Sequence, residues 1–503
     1  MLLAIGSPAL AGYSLAITRL NSRWLSRQFV YLRFPNRLNL PLAVSALQHI
    51  PFRIDSSGGS LLPSLIVLPE NDRYWKHLGV AAKRTRQWSI PVAMNIIWVL
   101  VAFLFTVVDS FVDFDYFLTV PGDAGYSIAA VWTYLLPVVV GWLHVGSQLE
   151  ADHLHDALNE AYEKAHVATA SDPVSAARGP GRSNRAIEPC TGLINHVNAD
   201  EKKTVPIFNY ARVFIWSQHA EYILKLYTNA AARAKDGITV RRGRRWESDD
   251  LDAIIADDRT GNEAEVIHYC SDRQEDPIAS SPTPGSLQFP VPQTSYFPTI
   301  PSPPAESTKD DEETADATMP VKPVFATEVF HRIAFATILG LGLQWGTTGA
   351  AVLIHIFTPP KGLGCRALTF AVYGSAGTVS FFLLLISSIL SHWARPQTVR
   401  GQPSGSKTFV GWVAALMRWL GKTIAISNGI GILVSCGMQF GGVYDNCFCS
   451  STIFGGDPNG LVKFLEQSIK GSEVYGYWIG GIVMAFMVSL LYAFAIYVAT
   501  PMK

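Results

Sequence analysis

The chain has 503 residues, of which 49% are hydrophobic and 16% charged, and its 40 Lys and Arg balance 40 Asp and Glu. That apolar content excludes a wholly disordered chain, and the neutral balance leaves no electrostatic footprint for nucleic acid. Six cysteines in 503 residues are too sparse for a disulfide-dense secreted scaffold.

In chain order, residues 1–18 are apolar but contain Gly6, Ser7, Pro8 and Gly12, with no base ahead of them. Three readings compete: the surviving end of a span, a complete short span, or a signal peptide with Ala9-Leu10-Ala11 before Gly12 as a cleavage site. We take it as a span. Residues 19–87 form a loop with amphipathic helices, in which eleven Lys or Arg face three acids.

Windows 87–108 and 124–149 contain no charged residue, and neither do 333–360, 367–394, 423–444 and 474–502. Each exceeds the roughly 20 residues a helix needs to cross a hydrocarbon core of about 30 Å. A charge near mid-span costs roughly 2.5–3.5 kcal/mol on insertion scales, so six such windows are not accidental. Helices buried in a soluble protein would rarely run so long without a charged face. The expected fold is an all-α, polytopic transmembrane bundle of about seven spans, two in 88–149 and four in 329–503.

Bases are retained on the cytoplasmic side. The basic 19–87 loop is therefore placed inside, and the next connection, with four Asp and no base, outside. Residues 150–328 and 395–407 then fall inside. Residues 358–366 and 441–473 fall outside, and with them Cys365, Cys447 and Cys449. An oxidising exterior makes a bridge from Cys365 to Cys447 or Cys449 a candidate, against free thiols as the plain alternative. Cys190 and Cys270 fall on the reducing side.

Within the inner loop, 150–170 reads as a helix with Leu154, Leu158, Ala161 and Ala165 on one face. His153 and His155 are two residues apart and point in different directions, so a solvated face is preferred over a metal site. A second helix over 206–235 carries Phe208, Tyr210, Phe214, Trp216, Tyr222 and Tyr227. It suits packing on the inner membrane surface or against another helix or a partner. Arg241, Arg242, Arg244 and Arg245 form a cluster suited to anionic lipid, at about 1 kcal/mol per close residue, or a solvated run balanced by nearby Asp. Residues 236–328 read as a largely disordered cytoplasmic linker, rich in Pro, Ser and acids. Ser281, Thr283 and Ser302 each precede a proline there and are candidate phosphorylation sites.

Inside the spans, Gln344, Thr347, Thr348 and Asn428 form a polar set. Gly342 and Gly346, Gly374 and Gly377, Ser427 with Gly431 and Ser435, and Gly476 and Gly480 have small-residue spacing for close helix packing. A substrate path through the polar set is the sharper alternative. No acid occupies a span centre, which weakens a coupled carrier. Gly421-Lys422-Thr423 lacks the first glycine of a phosphate loop, and no protease or hydrolase motif is present. No catalytic residue, cofactor or metal site is expected.

Gly6-Ser-Pro-Ala-Leu-Ala-Gly-Tyr-Ser14, Leu65-Ile-Val-Leu-Pro-Glu-Asn-Asp72 and Pro206-Ile-Phe-Asn-Tyr-Ala-Arg212 carry a family resemblance. Gly342-Leu-Gln-Trp-Gly-Thr-Thr-Gly349, Gly362-Leu-Gly-Cys-Arg366 and Tyr444-Asp-Asn-Cys-Phe-Cys449 complete it. Together they resemble a family of uncharacterised multi-spanning integral membrane proteins of fungi, over most of the chain except 236–322. In similar proteins more chain, with another hydrophobic segment, precedes the first motif. The resemblance implies no activity or ligand. The function expected is therefore a non-enzymatic scaffold in the plasma or a secretory-pathway membrane, whose cytoplasmic loop meets unidentified protein partners. A channel or facilitator is the second expectation, and a sensor a third that the long insert disfavours.

Overall fold

The structure is a computed structural model. It describes residues 2–54, 61–83, 123–145, 151–170, 173–176, 185–189, 200–201, 203, 205–241, 256–272, 327–358, 362–394, 405–444, 449 and 471–499. The expected span at 87–108 lies outside these, as do Ser281, Thr283, Ser302, Cys190, Cys447, Arg242, Arg244 and Arg245.

The described chain opens with α1 (Leu2–Gly6), α2 (Pro8–Val30), α3 (Asn39–Ala46), β1 (Phe52–Ile54), α4 (Leu61–Val67) and α5 (Asp72–Lys83). Next come α6 (Asp123–Trp132), α7 (Leu135–Val145), α8 (Ala151–Glu163), β2 (His166–Val167), β3 (Val174–Ser175) and β4 (Ile187–Pro189). Then α9 (Asn209–Lys235) and α10 (Glu263–Cys270) precede four long helices, α11 (Thr327–Phe357), α12 (Cys365–Trp393), α13 (Gly405–Phe440) and α14 (Gly471–Val498). The fold is mostly helical, with two small departures from the all-α expectation. β1 pairs antiparallel with β4, aligning Phe52 with Pro189, and β2 pairs antiparallel with β3.

Among the described residues, five stretches are long and apolar enough to cross a membrane: Gly125–Trp142, α11, α12, Thr408–Gln439 within α13, and Gly476–Val498 within α14. The expected single helix over 124–149 is instead two, α6 and α7, with a turn at Thr133 and Tyr134. Pro137 has no N–H to offer the Thr133 carbonyl, so the helical ladder is interrupted there. The expected span at 423–444 begins much earlier, at Gly405, and carries Arg418 and Lys422 inside one continuous helix. Residues 1–18 are not an outlying span. Pro8 to Thr18 are all buried, so α2 is the central post around which the bundle packs.

The bundle has two distinguishable ends. At one, the start of α11, the end of α12, the end of α14 and the second half of α2 converge: Arg332 Nη1 donates to Asn21 Oδ1 at 2.9 Å, Ser388 Oγ to the Tyr210 carbonyl at 2.7 Å, and Arg23 Nη1 to the Val498 carbonyl at 2.6 Å. At the other, Trp478 donates to Thr358 Oγ1 at 2.8 Å, Tyr126 lies against Trp478, and Cys365 is bonded to Cys449 with Cα atoms 4.9 Å apart. We call these the domain end and the disulfide end.

The domain is built by α3–α5, α8–α10 and the four strands over one apolar core that includes Trp75, Tyr74, Leu158, Trp216, Tyr227 and Val266. Residues 150–170 bury Leu154, Leu158, Ala161 and Ala165 in it. The aromatics of α9 face protein, not a membrane surface: Tyr210 and Phe214 enter the bundle core, whereas Trp216 and Tyr227 enter the domain core. One helix thus belongs to both. The 236–328 stretch, expected to be disordered, contributes α10, started by a reciprocal Asn262–Glu265 capping box and burying Val266, Tyr269 and Cys270. Arg259 clamps this segment to Asp72 at 2.6 Å.

Small residues pack the bundle, though not all those the spacing picks out. A Cβ on Gly6 would lie 1.7 Å from the Ala425 carbonyl, and one on Gly340 would lie 2.6 Å from the Ala9 carbonyl. Gly346, Gly374 and Gly377 also abut neighbours, whereas Gly342, Gly431, Gly476 and Gly480 face open space.

Candidate functional site

Polar side chains concentrate in two places, a break in the first helix and a junction where the domain meets the bundle. The break follows from Pro8. In an unbroken helix the N–H groups of Pro8, Ala9 and Leu10 would serve the carbonyls of Ala4, Ile5 and Gly6. Pro8 has no N–H. Ala9 donates instead to Gln344 Oε1 at 3.0 Å, and Leu10 to the Ser7 carbonyl at 3.0 Å.

Three carbonyls are thereby released, and each finds a side chain. Tyr134 donates to Ala4 at 3.3 Å, Tyr373 to Ile5 at 2.5 Å, and Asn428 to Gly6 at 2.8 Å. Ser7 Oγ donates to the Gly377 carbonyl at 2.9 Å. In a bilayer an unpaired backbone group costs several kcal/mol, so this collar is what permits the break.

The four polar residues singled out in the spans divide accordingly. Gln344 Nε2 donates to the Gly374 carbonyl at 2.7 Å and to Thr378 Oγ1 at 2.8 Å. Asn428 Nδ2 donates also to the Tyr373 carbonyl at 2.9 Å. Both hydrogens of each amide are therefore committed. Thr347 turns back on its own helix, donating to Leu343 at 3.0 Å. Thr348 is fully buried, and its hydroxyl has no hydrogen-bond partner among the described residues. Tyr134 and Tyr373 complete the collar and escaped sequence reasoning. The available signal was Pro8 itself, which predicts orphaned carbonyls and hence donors nearby.

The junction is charged. Asp200 is fully buried, and its carboxylate accepts from Tyr210 Oη at 2.6 Å and from Lys422 Nζ. Arg418 and Lys203 stand 3.8 Å away. Arg418 also donates to Ser391 Oγ at 2.7 Å, tying α13 to α12. From Lys203 the contacts continue inward. Arg212 donates to the Lys203 carbonyl and, at 3.2 Å, to the Gln48 carbonyl. Asn209 donates to Thr18 Oγ1 at 2.7 Å, and Asn21 to Gln48 Oε1 at 3.4 Å. Asn21 in turn accepts from Arg332, whose guanidinium lies 4.1 Å from the Trp24 ring centre. Helices α2, α9, α11 and α13 are thus joined through one polar seam.

Burial lowers the Arg212 pKa to about 10 against the pull of Glu201. His49, fully buried beside this seam, has no hydrogen-bond partner on either ring nitrogen among the described residues. Burial, then the charges of Arg212 and Arg19, push its pKa down to about 3 and keep the ring neutral. Burial likewise lifts the Cys270 thiol to about 12.

Arg241 ends the described part of its segment and is exposed. Cys365 takes Cys449 as its partner. Among the described residues, no group of three or more His, Cys, Asp or Glu could hold a metal ion. Comparison with protein-family profiles, curated proteins and solved structures yields no match.

Proposed function

We propose that the chain is a non-enzymatic, multi-pass membrane protein of about seven spans that holds a cytoplasmic helical domain for protein partners. One observation carries this reading: Gln344, Asn428, Tyr134 and Tyr373 are spent on the backbone of the broken first helix. A bundle so packed suits a mount for the domain. The domain shares α9 with it and is tied to it by the Asp200 junction.

The topology rests on two supports. The domain and the disulfide occupy opposite ends of the bundle, and a disulfide favours an oxidising compartment, which leaves the domain in the cytoplasm. The described chain leaves the domain at Lys83 and returns at α6 on the disulfide end. In this reading the charge-free window at 87–108 is the span that joins them. The segment holding Ser281, Thr283 and Ser302 would then be open to cytoplasmic kinases, and Arg241, Arg242, Arg244 and Arg245 to the inner leaflet. The fungal membrane family fits the same reading.

Glycosylation acceptors inserted at 113–123 and at 236–255 test the orientation. Modification of the first and not the second is expected, and the reverse inverts the topology. Proximity labelling from the domain should return reproducible cytoplasmic partners, and their absence counts against the recruiting role. A facilitative transporter is the second reading, favoured by the helix break itself, since broken helices mark many carrier sites. Solute flux in proteoliposomes, abolished by Asn428→Leu, would move the assignment to it.

A further inference from the structure

The Asp200 junction carries more positive charge than it neutralises. One carboxylate faces Lys203, Arg418 and Lys422, and its oxygens are already engaged by Tyr210 and Lys422. Glu201, the next residue in sequence, acts on Arg212. Arg418 is buried, but the two lysines are not: Lys203 is 49% exposed and Lys422 24%. Their ammonium groups share one aromatic ring, lying 4.6 Å and 5.9 Å from the centre of Phe208. That ring keeps both cations close to Phe208.

The depth of the notch is set by its surroundings. Lys422 is the last charged residue of α13 before the charge-free window that begins at Thr423. On the same helix Phe409, Trp412 and Trp419 project outward, exposed by 63% or more. Trp393 at the end of α12 and Tyr497 at the end of α14 are also exposed at this end. Tryptophan and tyrosine girdles lie at headgroup depth. In the membrane reading above, the two partly exposed lysines therefore stand where lipid phosphates stand.

We propose that the notch formed by Lys203, Lys422 and Phe208, backed by Arg418, binds the phosphate of an anionic phospholipid. The site differs from the Arg241–Arg245 cluster, because it joins the loop before α9 to α13 and its cations are pre-positioned by Asp200 and Phe208. Basic notches between helices on the cytoplasmic side suit such headgroups. A bound phosphate would staple the domain to the bundle, so domain mounting would depend on lipid composition. The inference rests on the membrane reading above.

The test uses the full chain reconstituted in phosphatidylcholine nanodiscs, alone or doped with phosphatidylserine or phosphatidylinositol 4-phosphate. Lipid retention is read by native mass spectrometry and stability by thermal unfolding. We expect preferential retention of the anionic lipids and a higher unfolding temperature in their presence. Retention should weaken roughly fivefold in Lys203→Gln, the factor for one close cation, and fall with added salt. Lys422→Gln should act in the same direction. Because that variant also disturbs Asp200, the half-exposed Lys203 provides the independent arm. Arg241→Gln should leave retention at this notch unchanged. Equal stabilisation by inorganic phosphate in neutral nanodiscs would support the phosphate site while assigning it a soluble source. Equal retention of neutral and anionic lipid, or wild-type retention by Lys203→Gln, overturns the proposal. Failure of the chain to enter nanodiscs at all would instead strike the membrane reading.

Discussion

The helix break and the Asp200 junction both bury polar groups between helices, yet they use different chemistry. At the break every donor is a neutral hydroxyl or amide and nearly every acceptor is a backbone carbonyl. At the junction the partners are charged side chains, with Asp200 opposed by Lys422, Arg418 and Lys203. Depth explains the difference. Mid-bundle, an ionised group would have to be desolvated completely, whereas a phenol or amide satisfies an orphaned carbonyl at far lower cost. At the domain end the loop before α9 can bring a carboxylate to cations that reach out of α13. The break therefore fixes how the first helix sits, and the junction fixes how the domain sits on the bundle.

The largest effect should come from the junction. Asp200→Asn leaves Arg418 and Lys422 without their counter-charge, and breaking a buried pair costs about 3–5 kcal/mol. Thermal unfolding should fall accordingly, and protease should cut the loop before α9 before the bundle unfolds. Wild-type stability in this variant would mean that the junction is not what mounts the domain. Next, Cys365→Ser opens a bridge that spans 84 residues. A loss of about 2–4 kcal/mol is expected, confined to the disulfide end and reproduced by reductant in the wild type. Loss of domain protection in that variant would show that the two ends are coupled.

The break should respond less. Gln344→Leu removes the acceptor for Ala9 and the donor for Gly374, and an orphaned buried group costs about 1–3 kcal/mol. Tyr373→Phe should cost less than Gln344→Leu, since only the Ile5 carbonyl loses a donor. If either variant instead changes solute flux without changing stability, the break is a working site and not a structural one.

His49 gives the junction a pH dependence that the neutral collar lacks. Its folded pKa, about 3, lies below its ordinary 6.5. Between those values the unfolded chain binds a proton that the folded chain excludes. Stability is therefore full above pH 6.5 and falls as pH drops towards 3, by up to about 1.4 kcal/mol per pH unit for one proton. His49→Phe should flatten that slope in acid unfolding curves, and an unchanged slope would place the titrating group elsewhere.

Much of the architecture was legible because charge-free length and helical periodicity are local properties. The windows at 333–360 and 367–394 coincide closely with α11 and α12, and the apolar face of α8 is the one that packs. Where sequence reasoning fell short, the cause was tertiary. The charge-free window starts just after Lys422, but a carboxylate over 200 residues away in sequence faces Arg418 and Lys422 and lets the helix run on through them. Asp200 itself sits in a polar stretch that nothing local distinguishes. Val266 and Cys270 lie in a polar stretch, and packing on α4 and α9 makes them core. Gln344 and Asn428 were visible as polar residues in apolar helices, but their partners are mostly backbone atoms of α1, α2 and α12, which no side-chain pattern announces. Pro8 was the local clue to both.

Thr348 separates the two views of the collar most economically, although its effect is the smallest. It lies one turn from Gln344, fully buried, with a hydroxyl that meets no acceptor among the described residues. A packed structural collar gains nothing from that hydroxyl. Exchange for a methyl group of similar shape removes an unsatisfied donor, and such replacements are near neutral or stabilising. Thr348→Val should therefore match or slightly exceed wild-type thermal stability, within about 1 kcal/mol. A site that handled a polar solute would need the hydroxyl, and Thr348→Val would then lower flux while Thr348→Ser restored it. Stability unmoved and flux absent in both variants is the pattern that a purely structural break requires.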